Sequence, residues 1–304
     1  MVSLEAFTSR PLHKALDAGR GWVDATRRRI GPRLRAELER EGTPAVPEPR
    51  RPGPEPKGGW DVPLELLVWL CPGRRDAAGF IRWLERLTAG RFYELFAPFV
   101  PEGAPPIPAD ATQIIGVLAG RLRRWNEAYF RQVDPALLEG LAKEAAVRRQ
   151  LVKRSPAGAF ERATNGVILE PDPGLERAVL IPQYHFRPWN LHARLKGAVV
   201  YLYPVDVLPT EPGHPSPDLL RLTRALADES RLRILRFLAP EPRPFSDVVR
   251  FIALAKSTVH HHLVALRAAG LIRVHVFPDG PERYSLRPGS LDRLEERLAD
   301  FLEE

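Results

Sequence analysis

Cysteine is all but missing from this chain. Cys71 stands alone, which excludes an intramolecular disulfide framework and any multi-cysteine metal site and fits a reducing compartment. No apolar run approaches the length needed to span a bilayer, and the N-terminus lacks the basic, apolar and small-residue order of a secretory signal. The expectation is a soluble, cytoplasmic protein without membrane association. Lysine is scarce as well, so the 45 cationic side chains are almost all arginine; against 38 carboxylates they leave a net charge of +7. Such a surplus suits a polyanionic partner but does not by itself identify one. Also lacking are a Gly-rich phosphate loop, a recognisable catalytic carboxylate pair, a nucleophile elbow and a zinc-protease motif. Nothing argues for catalysis or a cofactor, and the chain is read as a non-enzyme.

What is present is length, periodicity and proline. The chain has 304 residues, enough for two domains with their own cores. Residues 1–41 carry helical spacing (Leu12, Leu16, Trp22, Val23, Ile30, Leu34, Leu38) with breaks at Gly19, Gly21 and Gly31-Pro32. Residues 42–59 are rich in Pro, Gly and charge and read as an exposed connector. Residues 60–210 read as a helical domain with short strands near 166–204, serving dimerisation or effector binding. Its helical faces are Phe80, Trp83, Leu84 and Leu87; then Ile114, Ile115, Leu118, Leu122, Trp125 and Tyr129, with Asp110 or Thr112 as cap; then Leu137, Leu138, Leu141, Ala145 and Val147 after the Asp134-Pro135 start. Val167–Leu169, Ala178–Ile181 and Ala198–Tyr203 read as three strands. A Pro-rich boundary at 211–217 follows. The predicted class is α+β, mainly α with small β elements: a larger helical N-terminal domain with a short sheet, and a C-terminal winged helix-turn-helix over 217–304.

The C-terminal reading rests on spacing. A first helix ends near Ala227, and Asp228 to Ser230 offer capping groups for a second with Leu232, Ile234, Leu235 and Leu238 as its buried stripe. Glu241 to Pro244 reads as a turn, and Ser246 as the cap of a third helix with Val248, Val249 and Ile252. In the next helix Val259, Leu263 and Leu266 define an inner face, so Ser257, His261 and Val264 point the opposite way, flanked by Thr258 and His260. A small, hydrogen-bonding outer face on a firmly anchored helix suits the major groove. Leu271–Phe277, a Pro278–Pro281 turn and Glu282–Leu286 form a hairpin, the wing. The last helix, from Ser290, carries Leu291, Leu294, Leu298, Phe301 and Leu302, more apolar surface than a small domain needs, and is read as part of a dimer interface.

Three segments in order, Leu226–Leu235 (LADESRLRIL), Ser257–Leu263 (STVHHHL) and Leu266–Ile272 (LRAAGLI), resemble the ArsR-type winged-helix repressors. The resemblance covers about the last 85 to 90 residues, the usual size of such a domain. It implies a homodimer on double-stranded DNA that reads an inverted repeat and represses transcription until a ligand or metal weakens binding; whether a small-molecule effector exists is left open. Base readout falls to Ser257, Thr258, His260 and His261, and phosphate or wing contacts to Arg243, Lys256, Arg267, Arg273, His275 and Arg283. Two departures stand out: Ala253 and Ala255 occupy places where the family often has Gly and Ser, and the second helix contains no cysteine for a soft-metal site. Leu180–Trp189 (LIPQYHFRPW) and Val199–Pro204 resemble an extension that precedes this motif in some bacterial regulators of unknown ligand.

Other candidates carry two readings each. His260, His261 and His262 splay by about 100° per residue on a helix, so the three cannot chelate one ion, and no metal is expected. His185 and His192, with Tyr184, Trp189 and Asn190, are pocket or turn residues. Phe92, Tyr93, Phe96, Phe99, Trp125, Tyr129 and Phe130 are an effector cavity or plain core. Arg27, Arg28, Arg29, Arg33 and Arg35 are a solvated helix face or touch flanking phosphates. Rival functions are a winged helix that docks on a protein of the transcription machinery, and an enzyme tethered by a winged helix.

Overall fold

The computed structural model describes residues 1–40, 64–72, 76–99, 111–208 and 213–303. The expected connector at 42–59, the Asp110 cap and part of the 211–217 boundary lie outside them. Along the chain run α1 (Val2–Thr8), α2 (Gly19–Arg40), α3 (Leu64–Leu70), α4 (Ala77–Glu85), α5 (Ala89–Phe96), α6 (Ala111–Ala128), α7 (Pro135–Arg154) and α8 (Pro156–Ala163). Then come β1 (Val167–Leu169), β2 (Leu175–Gln183), β3 (Leu191–Leu195), β4 (Gly197–Pro204), α9 (Pro217–Leu226), α10 (Glu229–Leu238) and β5 (Arg243–Pro244). Last are α11 (Phe245–Ile252), α12 (Lys256–Ala268), β6 (Ile272–Val276), β7 (Arg283–Leu286) and α13 (Asp292–Glu303). Among the described residues no helix is long and apolar enough to cross a membrane. The elements form two units, Met1–Leu141 with Gly174–Val205 and Ala142–Pro173 with Asp206–Glu304.

The first unit is helical around a three-stranded sheet. The break expected in its second helix is real: Gly31 sits at φ 76°, ψ 164°, and Pro32 follows. Only glycine takes that backbone cheaply, and proline has no N–H with which to continue the preceding turn. Side-chain caps start α4 (Asp76 to the Gly79 amide) and α5 (Thr88 to the Arg91 amide), and Asp134 accepts from the Ala136 amide as α7 begins. Thr112 lies inside α6 rather than ahead of it. Ile115, Ala119, Leu122 and Trp125 form the inner stripe of α6, and Tyr129 is buried just past its end. Ile114 is 44% exposed and Leu138 45%, because a neighbour one position away lies about 100° around the helix and one face buries only one of the two. The strand order is β2-β4-β3, with β2 parallel and β3 antiparallel to β4. Sequence analysis missed β3, whose Leu191, Ala193 and Leu195 point inward while His192 and Arg194 are exposed.

A buried polar chain crosses this core. The Trp22 indole N–H donates to the Tyr129 hydroxyl (2.8 Å), which lies within hydrogen-bond distance of His185 Nε2 (2.9 Å). Burial lowers the His185 pKa to about 3, with Arg187 among the positive charges that add to the effect. His185 is therefore a core group and His192 stacks on Tyr201 (ring centroids 5.0 Å apart). Of the aromatics weighed as a cavity, Phe92, Phe96, Trp125 and Tyr129 are buried core, and Tyr93 is exposed.

The second unit contains α9 to α13 and a four-stranded sheet of order β1-β6-β7-β5. Leu222, Ile234, Leu238, Val248, Val259, Leu266, Leu271 and Ile272 close its core with almost no exposure. Three expectations need correction. Leu232 is 48% exposed and outside the α10 stripe. Ser246 does not cap α11; Pro244 holds that place and the Ser246 hydroxyl faces Asp247. Arg243-Pro244 is a short strand paired with β7, not only a turn. The larger difference concerns β1: Val167–Leu169 pairs in parallel with β6, Val167 opposite Val274 and Leu169 opposite Val276, and so belongs to the wing sheet rather than to the strands at 175–204. Residues 142–173, assigned by sequence to the helical domain, thus belong with the C-terminal unit.

Candidate nucleic-acid interface

The helix-turn-helix is built by α11 and α12. Its corner residue, Ala253, adopts φ 56°, ψ 35°, a left-handed backbone that an L residue with a Cβ enters at a cost. Ala255 precedes α12 with no side-chain cap. Val259, Leu263 and Leu266 then anchor α12 on the core, and the opposite face presents Lys256, Ser257, Thr258 and His261 to solvent. His260 is half-buried, its ring 6.3 Å from that of His261. His262 turns back toward the start of α10, Nδ1 3.8 Å from the Asp228 carboxylate. Among the described residues no group of three or more His, Cys, Asp and Glu side chains could hold a metal ion.

The two alanines make a local prediction. Ala255→Ser should raise the unfolding free energy by about 1 kcal/mol by supplying the missing cap. Ala253→Gly relieves about 1–2 kcal/mol of left-handed strain, and the more flexible unfolded chain takes back about 0.4–1 kcal/mol of it. Urea midpoints of the two variants check this; an unchanged midpoint for Ala255→Ser would refute the uncapped start of α12.

Of the expected phosphate contacts, Arg283 is exposed at the head of β7, its guanidinium 5.7 Å from the Phe277 ring, beside the exposed turn Pro278–Pro281. Arg267 is half-buried on the last turn of α12. Arg243 pairs with Glu241 (2.7 Å) and lies over the Phe237 ring at 5.0 Å. Arg273 and His275 are held by the segment before β2. The Arg273 fork donates to both Glu161 oxygens (2.7 and 2.9 Å), and Arg287 approaches the same carboxylate at 3.4 Å. Burial alone would raise the Glu161 pKa, but these two guanidinium groups outweigh it and hold the carboxyl below its ordinary value. His275 Nδ1 is 2.7 Å from the Glu170 carboxylate and Nε2 2.8 Å from the Ser285 hydroxyl.

Sequence reasoning missed the residue that ties this arrangement together. Asn165, at φ 54°, donates from Nδ2 to the Arg267 and Ala268 carbonyls (3.3 and 3.4 Å) at the C-terminus of α12. Its Oδ1 accepts from Arg287 (2.8 Å) and Arg293 (3.4 Å). Gly166 follows at φ 103°, where a Cβ would stand 2.7 Å from the Ile272 carbonyl oxygen. The signal was there in the Asn-Gly pair, a dipeptide suited to two consecutive positive-φ residues.

Residues 226–275 match a family model described as a helix-turn-helix domain. With the β6–β7 hairpin packed beside that helix pair, the fold of the second unit follows. It is a winged helix-turn-helix. Solved structures similar to part of this chain include an ArsR-like transcriptional regulator from Rhodococcus sp. RHA1, 26% identical over 27% of this chain and 77% of that one, with a TM-score of 0.25. NolR from Sinorhizobium fredii is 24% identical over 32% of this chain and 95% of its own, TM-score 0.25. A homodimeric winged helix-turn-helix DNA-binding domain from Mycobacterium bovis is 21% identical over 33% and 92%, TM-score 0.25. No curated protein matches the chain.

Proposed function

We propose that the chain is a sequence-specific transcriptional regulator that binds double-stranded DNA as a homodimer, reads an inverted repeat and acts as a repressor. The observation that carries this reading is the solvent face of α12: Lys256, Ser257, Thr258 and His261 stand exposed on a helix whose other side is locked into the core. Base contacts are assigned to Ser257, Thr258, His260 and His261. Phosphate contacts are assigned to Lys256, Arg267 and Arg283, with Arg243 at the rim. Arg273 and His275 are assigned instead to holding the 161–170 segment, since carboxylates already take their donors. Dimerisation is assigned to α13 and the residue before it, where Leu291, Leu298 and Leu302 are 55%, 42% and 72% exposed along one stripe.

Selection from a random duplex pool, then titration of the winner against scrambled DNA at physiological salt, tests the reading. An inverted repeat preferred by about a thousandfold supports it; binding of no duplex, or of all duplexes equally, overturns it. His261→Ala should cost about 1–3 kcal/mol on the selected site and relax its sequence preference. Arg283→Ala should weaken every duplex alike and lower the salt slope by about 1. Equal losses on selected and random DNA for His261→Ala would refute base readout by that side chain.

A further inference from the structure

Helical spacing gathers cations and apolar side chains on one flank of the second unit. Arg233, Arg236, Phe237 and Pro240 fall at i, i+3, i+4 and i+7, along one face of α10 and the turn past its end. Phe237 and Phe251 each adjoin a residue of a buried stripe, Leu238 on α10 and Ile252 on α11, and so lie about 100° away from it. The two rings stack on one another instead, centroids 4.2 Å apart and planes 6° from parallel, and Phe251 stays 41% exposed. Arg243, on β5, lies over the Phe237 ring at 5.0 Å. Together these six residues line an open groove with a volume of about 390 Å³.

The charge of the groove is one-sided: three arginines line it and no carboxylate does. Arg233 and Arg236 are exposed, and among the described residues neither side chain has a hydrogen-bond or ion-pair partner. Arg243 pairs with Glu241 through one guanidinium nitrogen (2.7 Å), but its Nε is buried and finds no acceptor among the described residues. Native proteins rarely bury a donor without a partner, so this one marks a place open to an acceptor from outside. A nucleic-acid backbone would use the guanidinium groups and leave the Phe251 and Pro240 faces without a role. Arginine beside exposed aromatic rings is instead the composition of protein-docking sites. Three separate forks around one apolar floor call for several carboxylates around one apolar anchor, which a single small acid does not supply. We propose that the groove docks an acidic peptide segment of a partner protein. An apolar or aromatic anchor rests on Phe237, Phe251 and Pro240, and flanking carboxylates take the forks of Arg233, Arg236 and Arg243. Arg243 is the one residue the groove shares with the assigned DNA contacts, and the proposal stands whether or not the chain binds DNA.

Fluorescence anisotropy of the full chain at constant ionic strength tests this. The probe is a fluorescein-labelled peptide in which adjoining leucine and phenylalanine are flanked on each side by aspartate and glutamate. Its comparators are the same peptide with both apolar residues replaced by alanine, the same peptide with its carboxylates replaced by amides, and a random duplex. Saturable one-to-one binding of the probe is expected, weakened by about tenfold or more in Phe251→Ala and in the double variant Arg233→Glu/Arg236→Glu. Both altered peptides should bind the unaltered chain more weakly by a similar factor. Glu241→Gln should tighten binding by freeing Arg243, a gain that misfolding does not produce. Failure of the probe to bind, affinities unchanged in both variants, or equal binding of the alanine-substituted peptide would overturn the proposal. Duplex affinity that falls in the double variant while the probe does not bind would also overturn it, reassigning these arginines to nucleic acid.

Discussion

Asn165→Ala is expected to lower the unfolding free energy of the C-terminal unit by about 2–4 kcal/mol, more than any exposed substitution on the recognition helix. The substitution takes the side-chain donor from the Ala268 carbonyl and one donor from the Arg267 carbonyl, which keeps the Gly270 amide, and it removes an acceptor from Arg287, which is only 9% exposed. A polar group left unsatisfied in such a place costs about 1–3 kcal/mol. Alanine at φ 54° adds left-handed strain of about 1–2 kcal/mol, which asparagine tolerates better through its short polar side chain. Asn165→Gly separates the two causes, since it loses the same hydrogen bonds without the strain and should fall between wild type and alanine. The second unit contains no tryptophan, and Trp22, Trp69, Trp83, Trp125 and Trp189 belong to the first, so tryptophan fluorescence reports the first unit and circular dichroism over the whole chain adds the second. The Asn165 variants should shift the dichroism transition and leave the tryptophan transition in place. Wild-type stability for both variants would show that the 156–169 segment does not support the winged helix.

The second large effect is a pH dependence in the first unit. His185 holds its proton-accepting form in the folded state down to about pH 3, whereas an unfolded imidazole titrates near 6.5. Below pH 6.5 the unfolded chain takes up a proton that the folded chain refuses, so acid favours unfolding. The associated stability is fully present above pH 6.5 and declines as pH falls toward 3, by roughly 1.4 kcal/mol per unit from this one group. Tryptophan-detected urea unfolding at pH 7, 6 and 5 should show that decline, and His185→Gln should flatten it, because glutamine offers Tyr129 an acceptor without titrating. Identical slopes in wild type and variant would refute the neutral buried histidine. His13, also lowered chiefly by burial, adds a smaller contribution of the same sign.

Much of the second unit was legible because its signals are local. Val259, Leu263 and Leu266 repeat at helical spacing, and Asp228 stands one residue ahead of the helix whose Arg231 amide it caps. Periodicity over-assigned the core wherever two apolar residues adjoin, as at Ile114-Ile115 and Leu137-Leu138. It also read Leu232 as core, but could not say that a helix with Ile234, Leu235 and Leu238 inward would leave it out. Val167–Leu169 was readable as a strand, yet nothing in three β-branched or aliphatic residues names a partner more than a hundred positions away. For the same reason Glu161 and Glu170 look like ordinary solvated carboxylates until β6 brings Arg273 and His275 to them.

The parallel pairing of β1 with β6 also sets an order of events during synthesis. A ribosome releases Val167–Leu169 more than a hundred residues before Val274 and Val276, the strand positions they meet. At about 5–20 residues per second, that is an interval of roughly 5–20 s. Throughout it the nascent chain carries an unpaired apolar strand, while residues 174–205 emerge and are free to close the first unit's sheet. The winged helix is the last part of the described chain to be translated, and it completes its sheet with a piece made long before it.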